Sequence, residues 1–280
     1  MSNNKVWFVT GASKGLGLSL VKKLLKEGYR VAATSRNLSD LSKAVDNHSD
    51  QFLPLAVNIK NEESVQEAIE LTVSTFGKID VVVNNAGYGL IGGLEELTDQ
   101  EARDNFEVNV FGSLNVIRKA LPYLREQQSG HILNISSIGG FTGSFPGFGI
   151  YCATKFAVNG FSESLAEEVK PFGIKVTIVQ PGYFRTSFLS EGSLVAPKHQ
   201  IDAYQNVRAS QNLHQNELDQ QQAGDPDKAA EAMIEIVNAE NPPVNLFLGE
   251  DAYNAANNKI AAVQSDLETW KELTTSTAIA

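Results

Sequence analysis

The chain has 280 residues, 42% hydrophobic and 20% charged, which excludes a wholly disordered or collagen-like protein and fits one α/β domain around a single core. Lys and Arg total 23 against 33 Asp and Glu, and a net charge of −10 argues against nucleic acid or an anionic membrane as partner, since both favour a basic surface. One cysteine, Cys152, excludes an internal disulfide and a thiolate zinc cage, and fits a reducing, cytoplasmic setting.

Lys5 to Thr10 reads as a buried strand. Its apolar part is too short for a signal-peptide core, and no apolar run approaches the roughly eighteen residues of a membrane span. A helix is expected over Leu16 to Glu27, strands over Arg30 to Thr34 and Phe52 to Val57, a helix over Glu62 to Phe76, and a strand over Asp80 to Asn84. A long helix follows over Gln100 to Glu126, bent near Pro122. Next come a strand over His131 to Ser136, a helix over Tyr151 to Val169 and a strand over Lys175 to Val179. Asp227 to Asn238 reads as a helix, Val244 to Leu248 as a seventh strand, and Tyr253 to Leu273 as a last helix. Short apolar strands alternating with amphipathic helices predict a doubly wound, seven-stranded parallel sheet of Rossmann-like α/β class, in a single domain spanning 1–280. Residues 185–225, polar and Gln-rich, fit either a lid near the site or a solvated insertion, and 250–280 form a C-terminal extension.

Thr10-Gly11-Ala12-Ser13-Lys14-Gly15-Leu16-Gly17 lies between the first strand and the first helix. Glycines there allow a tight turn and let a pyrophosphate approach the backbone and the helix N-terminus. The second strand ends Ala33-Thr34-Ser35-Arg36-Asn37, with no carboxylate before Asp40. An acid there would hold the ribose hydroxyls of NAD; Arg36 and Lys14 instead favour the 2′-phosphate of NADP. Tyr151 and Lys155 stand four residues apart at the start of a predicted helix and so share a face, where the ammonium is expected to lower the phenol pKa from about 10. Ser137 ends the fifth strand, at the crevice where open α/β sheets bind ligands.

With these motifs in order, the sequence resembles the short-chain dehydrogenase/reductase family over nearly all of Lys5 to Leu248. The glycine motif matches at Thr10 to Gly17, Asn-Asn-Ala-Gly at Asn84 to Gly87, the helix asparagine at Asn109, the serine at Ser137, Tyr-x-x-x-Lys at Tyr151 and Lys155, and Pro-Gly at Pro181 and Gly182, with Thr186 following. The resemblance implies hydride transfer between NADP(H) and a carbonyl or alcohol. Tyr151 would be the general acid or base, Ser137 would orient the substrate oxygen, Lys155 would tune Tyr151 and hold the nicotinamide ribose, and Asn109 would anchor a proton-relay water. Cofactor contacts would come from Gly11, Ser13, Lys14, Gly15, Leu16 and Gly17, from Ser35 and Arg36, and from Asn58 and Ile59. Asn85, Ala86 and Gly87 would add to them, as would Tyr151 and Lys155, then Pro181, Gly182, Phe184 and Thr186. Ser137, Phe145, Tyr151, Tyr183 and Phe188 would touch substrate, with Phe141, Phe148, Tyr88 and Leu189 as further wall candidates.

Two positions depart from the family pattern. Thirteen residues, not twelve, separate Ser137 from Tyr151, the extra one assigned to the loop Thr142 to Gly149, which leaves Ser136 and Ser144 as lesser candidates for the serine. Asn58 stands where the family has an aspartate beside the adenine. The stretch from Ser137 to Glu163 is also similar to hydroxysteroid and retinol dehydrogenases. A homo-oligomer, dimer or tetramer, is implied, and no metal is expected, because the four histidines lack ligand spacing. Cys152 and Trp7 read as core, Trp270 as a packing anchor. The competing readings are a reductase of a carrier-bound keto group, which needs a basic docking patch, and a non-catalytic NADP sensor on the same fold.

Overall fold

A computed structural model describes residues 4–190 and 192–279. In chain order the first half holds β1 (Val6–Val9), α1 (Gly15–Lys26), β2 (Arg30–Ser35), α2 (Leu38–Val45), β3 (Phe52–Ala56), α3 (Glu62–Phe76), β4 (Val81–Asn84), β5 (Gly89–Leu90), α4 (Asp99–Phe106), a π turn (Glu107–Phe111) and α5 (Gly112–Gln127). The second half holds β6 (Gly130–Ile135), a 3-10 turn (Ile138–Gly140), α6 (Gly149–Val169), β7 (Ile174–Pro181), β8 (Leu194–Val195), α7 (Gln205–Asn212) with a π turn (Leu213–Glu217), α8 (Pro226–Asn238), β9 (Asn245–Leu248), α9 (Glu250–Thr269) and α10 (Lys271–Thr275).

Seven parallel strands lie in the order β3-β2-β1-β4-β6-β7-β9. The winding direction reverses between β1 and β4, and such a switch point opens a crevice at the C-terminal strand ends. β1 is buried on both faces, and its alternation splits the core. Trp7 and Val9 face α1 and α8, with Leu24, Val31, Val83 and Met233 in one cluster. Val6 and Phe8 face α3 and α5, with Ile69, Val82, Ile117 and Leu124 in the other. Burying each of these large side chains contributes about 1.5–3 kcal/mol, so the two layers fix the sheet that carries the site.

Local chemistry sets the element ends. Asn37 and Asn61 cap α2 and α3 by accepting backbone N–H bonds, Thr98 and Glu101 form a reciprocal capping box on α4, and Asp225 caps α8 ahead of Pro226. α1 has no such side-chain cap: Lys14 stands at its N-cap, and its side chain makes no bond to the first-turn amides, which are left free at the crevice.

The structure departs from the sequence reading at several elements, of which four bear on the site and the core. The helix expected over Gln100 to Glu126 runs through Pro122 and is interrupted instead at the π turn, which shifts the register around Asn109. α6 begins at Gly149, two residues before Tyr151, behind a 3-10 turn over Ile138–Gly140. α2 is absent from the expected elements: it is eight residues long and buries only Leu41 and Val45, too short a period to stand out. Trp270 is 60% exposed and belongs to no core cluster among the described residues, whereas Trp7 is fully buried against Tyr29.

Candidate active site

The crevice is a cleft of about 810 Å³, in the upper part of the roughly 300–1,000 Å³ range of small-molecule sites. It runs across the C-terminal ends of β1, β2, β4, β6 and β7. Of the residues expected at the site, Gly17 and Asn109 and the lesser candidates Phe141 and Ser144 do not line its wall, and the rest do.

At one end lie the glycine turn and the uncapped amides of α1. Gly17 sits behind the wall: a Cβ there would come 2.4 Å from Asn85 Nδ2 and 2.8 Å from the Gly11 carbonyl. The Asn85 amide faces that turn, donating to the carbonyls of Thr10 and Gly11 at 2.9 Å each, so its side chain braces the loop and its backbone forms the wall. Ser13 accepts from Ser35 at 3.2 Å. Lys14 reaches across to Ser193 Oγ at 2.5 Å, and both burial and the neighbouring Arg36 charge pull its pKa down. Arg36 is exposed and makes no ion pair among the described residues. Asp40, on the first turn of α2, lines the same mouth, as do Asn58 and Ile59. Asn58 Oδ1 accepts from the Lys60 amide at 3.2 Å, and Asn115 holds the Ile59 carbonyl at 2.8 Å.

At the other end stand Ser137, Tyr151 and Lys155. Ser137 caps the 3-10 turn, accepting from Gly139 N at 3.0 Å, and its hydroxyl also meets the Tyr151 phenol. Ser136 is turned away, donating to the Lys155 carbonyl at 3.2 Å, and Ser144 is exposed beside Thr142. Lys155 is buried; its Nζ donates to the Ile135 carbonyl at 2.8 Å and lies 5.8 Å from the Tyr151 ring centroid. An ammonium has three donors, so two remain for a ligand in the cleft. Asn109 lies behind the wall: Oδ1 accepts from Tyr88 N, and Nδ2 donates to Tyr88 O and Thr154 Oγ1, each at 3.0 Å.

The expected lowering of the Tyr151 pKa is not what the chain's own groups produce. Burial raises it well above the ordinary phenol value, and the Ser137 hydrogen bond opposes that only in part. Burial also brings Lys155 down to about 8. Tyr151 is therefore a firmly protonated acid at neutral pH.

The remaining wall is apolar. Phe145, Phe148, Tyr183, Phe188 and Leu189 pack with Tyr151, whereas Phe141 stacks on Phe247 beneath the C-terminal helix and belongs to the core. Residues 185–225 are no solvated insertion. β8 pairs with β5, and Thr186, Phe188, Ser193, His214 and Gln222 line the cleft. Buried Glu96 ties this lid down, accepting from Ile201 N at 2.7 Å and from Arg208 at 2.5 Å. The sequence reading missed Asp251, His214 and Gln222. Asp251 Oδ2 accepts from Tyr183 N at 2.7 Å, an approach open only because Gly182 has no Cβ. That spacing spans 68 residues, and only the fold reveals it.

The sequence profile of the family described as short chain dehydrogenase matches residues 5–193. The chain is 34% identical to oxidoreductase BOA17 of Botryotinia fuckeliana, over 98% of this chain and 99% of that one. It is 38% identical to a 3-ketodihydrosphingosine reductase of Bacteroides thetaiotaomicron, over 88% of each. Among solved structures, a short-chain dehydrogenase from Streptomyces avermitilis superposes with a TM-score of 0.90 at 37% identity, covering 98% of this chain and 100% of that one. A 3-ketoacyl-(acyl-carrier-protein) reductase of Brucella melitensis, complexed with NADH, gives a TM-score of 0.74 at 27% identity over 89% and 98%. ElxO with NADP bound gives 0.71 at 27% over 87% and 96%. The chain belongs to the short-chain dehydrogenase/reductase family. It is an oxidoreductase.

Proposed function

We propose that this protein reduces a ketone or aldehyde, or oxidises the matching alcohol, with NADP(H) as cofactor. The observation that carries the reading is the convergence of two hydroxyl donors, Tyr151 and Ser137, beside a buried ammonium with two donors to spare. The uncapped N-terminus of α1 and the bare backbone of the glycine turn suit a pyrophosphate, and solved relatives carry NADH in one case and NADP in another. Arg36 and Lys14, two neighbouring cations at the adenosine end, support the phosphorylated form.

The cofactor, when bound, supplies or accepts the hydride. Tyr151 donates its proton to the substrate oxygen as negative charge builds there, and Ser137 holds the same oxygen with a second hydrogen bond. Lys155 would offer its two remaining N–H donors as hydrogen bonds to the ribose hydroxyls and its charge to the phenolate left on Tyr151. Asn109 holds Tyr88 and Thr154, and through them the wall behind the reacting groups. Phe184 and Thr186 bound the nicotinamide end, with Phe145, Phe188 and Tyr183 against the substrate. The carrier-bound reading loses ground because Glu101 and Asp104 stand at the cleft where a basic patch would be needed. A homo-oligomer in the cytoplasm completes the proposal.

The test is NADPH consumption by the purified protein across a panel of ketones and aldehydes. Tyr151→Phe is expected to lower kcat about 10²- to 10⁴-fold while NADPH still binds. A protein that binds NADPH, oxidises none on any carbonyl and is indifferent to Tyr151→Phe would instead be a sensor.

A further inference from the structure

One pair of polar groups stands in the aromatic wall with no part in the chemistry above. His214 is buried on the lid's π turn, its ring 4.7 Å from Phe148 and 5.7 Å from Tyr183. Its Nδ1 lies 2.7 Å from the Ser210 carbonyl and its Nε2 lies 2.8 Å from the Tyr183 hydroxyl. A carbonyl oxygen can only accept, so Nδ1 carries the proton. A neutral imidazole has one proton, so Nε2 must accept, and the Tyr183 hydroxyl must donate to it. Burial keeps the imidazole neutral by pulling its pKa down, and pushes the Tyr183 phenol up to about 12, so both stay in these forms at neutral pH.

The consequence is a polarity. The only proton of the Tyr183 hydroxyl is spent on His214, and its lone pairs meet no other side-chain or backbone donor among the described residues. Tyr183 lines the cleft with Phe145, Phe188 and Leu189 and packs in the same apolar cluster. Tyr183 itself is fixed from behind by Asp251. Toward a substrate, Tyr183 is therefore an acceptor in an apolar wall, while Tyr151 and Ser137 are donors. Gln222, fully buried with both amide atoms unpartnered, lines the same cleft and marks it as built for a second polar group, though an amide offers either polarity and does not choose between them.

We propose that Tyr183, set by His214, selects substrates that carry a hydrogen-bond donor, a hydroxyl or amine, close to the reacting carbonyl: hydroxy ketones and amino ketones rather than simple ones. The inference rests on the carbonyl chemistry proposed above and refines its substrate class. Tyr183 is a specificity residue that touches substrate. His214 is a positioning residue that acts through it.

The experiment uses the full chain with NADPH and three compounds of matched chain length: a medium-chain α-hydroxy ketone, its O-methyl ether and the parent methyl ketone. The ether keeps the oxygen but loses the donor. The kcat/KM ratio of hydroxy ketone to ether is expected at about 10- to 100-fold in the native protein. Tyr183→Phe brings that ratio close to one. His214→Phe frees the Tyr183 hydroxyl to donate as well as accept, so both compounds find a partner and the ratio falls toward one; a merely structural role for His214 would lower both rates and leave their ratio alone. Calorimetric binding of the same compounds to the protein loaded with oxidised cofactor gives a readout that needs no turnover. If none of the three is reduced but the hydroxy compound binds about tenfold tighter than the ether, the carbonyl-reductase reading fails and the polarity stands. A native ratio of one in both rate and binding, or a ratio that survives Tyr183→Phe, overturns the inference.

Discussion

Lys155 sits at the point where burial and chemistry pull in opposite directions. Its pKa, lowered by burial to about 8, means that the ammonium Tyr151 relies on is lost just above neutrality. Carbonyl reduction is expected to hold level through neutral pH and to fall as pH rises past about 8, which a kcat/KM profile with NADPH would record. Stability moves the other way. Between about 8 and the ordinary 10.5, the unfolded chain holds a proton on this lysine that the folded chain has released, so the contribution of Lys155 to stability rises with pH across that window. Denaturant unfolding of the native protein and of Lys155→Met, compared at both ends of the window, should show the gap moving in favour of the native protein on the alkaline side. At the opposite end of the cleft the deciding residue is Arg36. Arg36→Asp replaces a fork suited to phosphate with an acceptor suited to ribose hydroxyls, and the NADPH-to-NADH ratio of kcat/KM is expected to drop about tenfold or more. Equal use of the two cofactors by the native protein would remove the basis for this expectation; Asp40, at the same mouth, is the carboxylate that would then be holding the ribose.

The lid is tied to the body in part through the buried Glu96 carboxylate. Burial works against the Glu96 carboxylate, but the amides of Ile201 and Gly93 and the Arg208 guanidinium outweigh it and leave its pKa below the ordinary range. A carboxylate of this kind adds stability above its unfolded pKa and loses it as pH falls through the folded one, so the lid should loosen in acid before the sheet does. Glu96→Gln is expected to cost about 1–2 kcal/mol locally. It should open residues 196–211 to limited proteolysis and raise KM more than it lowers kcat. The lid also shows where sequence reading stops. Strands such as Val6–Val9 and Val81–Asn84 are legible because burial on both faces demands unbroken apolar runs. Gly15, Ser137, Tyr151 and Lys155 are legible because their chemistry depends on spacing within one turn or helix. β5 and β8 are two residues each, joined across more than a hundred positions, and α7 carries a single buried residue, Val207. Neither leaves a period to detect. The bond between Tyr183 and Asp251 and the pairing of Tyr183 with His214 are contacts between elements that only the finished fold brings together.

At the scale of the whole molecule the C-terminal helices are out of balance. Ala252 and Ala256 are buried against the body, and then residues 257–279 are exposed throughout. A helix standing free in water for that length is marginal unless another surface packs on it. Its large apolar groups are not scattered. Tyr253, Ala256, Ile260, Val263, Leu267 and Trp270 follow steps of three and four, which places them on one stripe, and Tyr253, Ile260, Leu267 and Trp270 are each more than half exposed. A stripe with this repeat is the kind that packs against an equivalent helix, so a second copy of this chain is the partner expected to cover it. Light scattering on the native protein should give a mass above that of one chain. Val263→Glu together with Leu267→Glu should give a monomer whose circular dichroism still shows the sheet. The effect should reach the active site, because α9 begins with the turn that carries Asp251, and Asp251 holds Tyr183 in the cleft wall. Freed from its partner, the helix frays toward that turn, and the monomeric variant is expected to show a raised KM with a smaller change in kcat. A native protein that is monomeric at micromolar concentration, or a monomeric variant with unchanged KM, would separate the helix from the site.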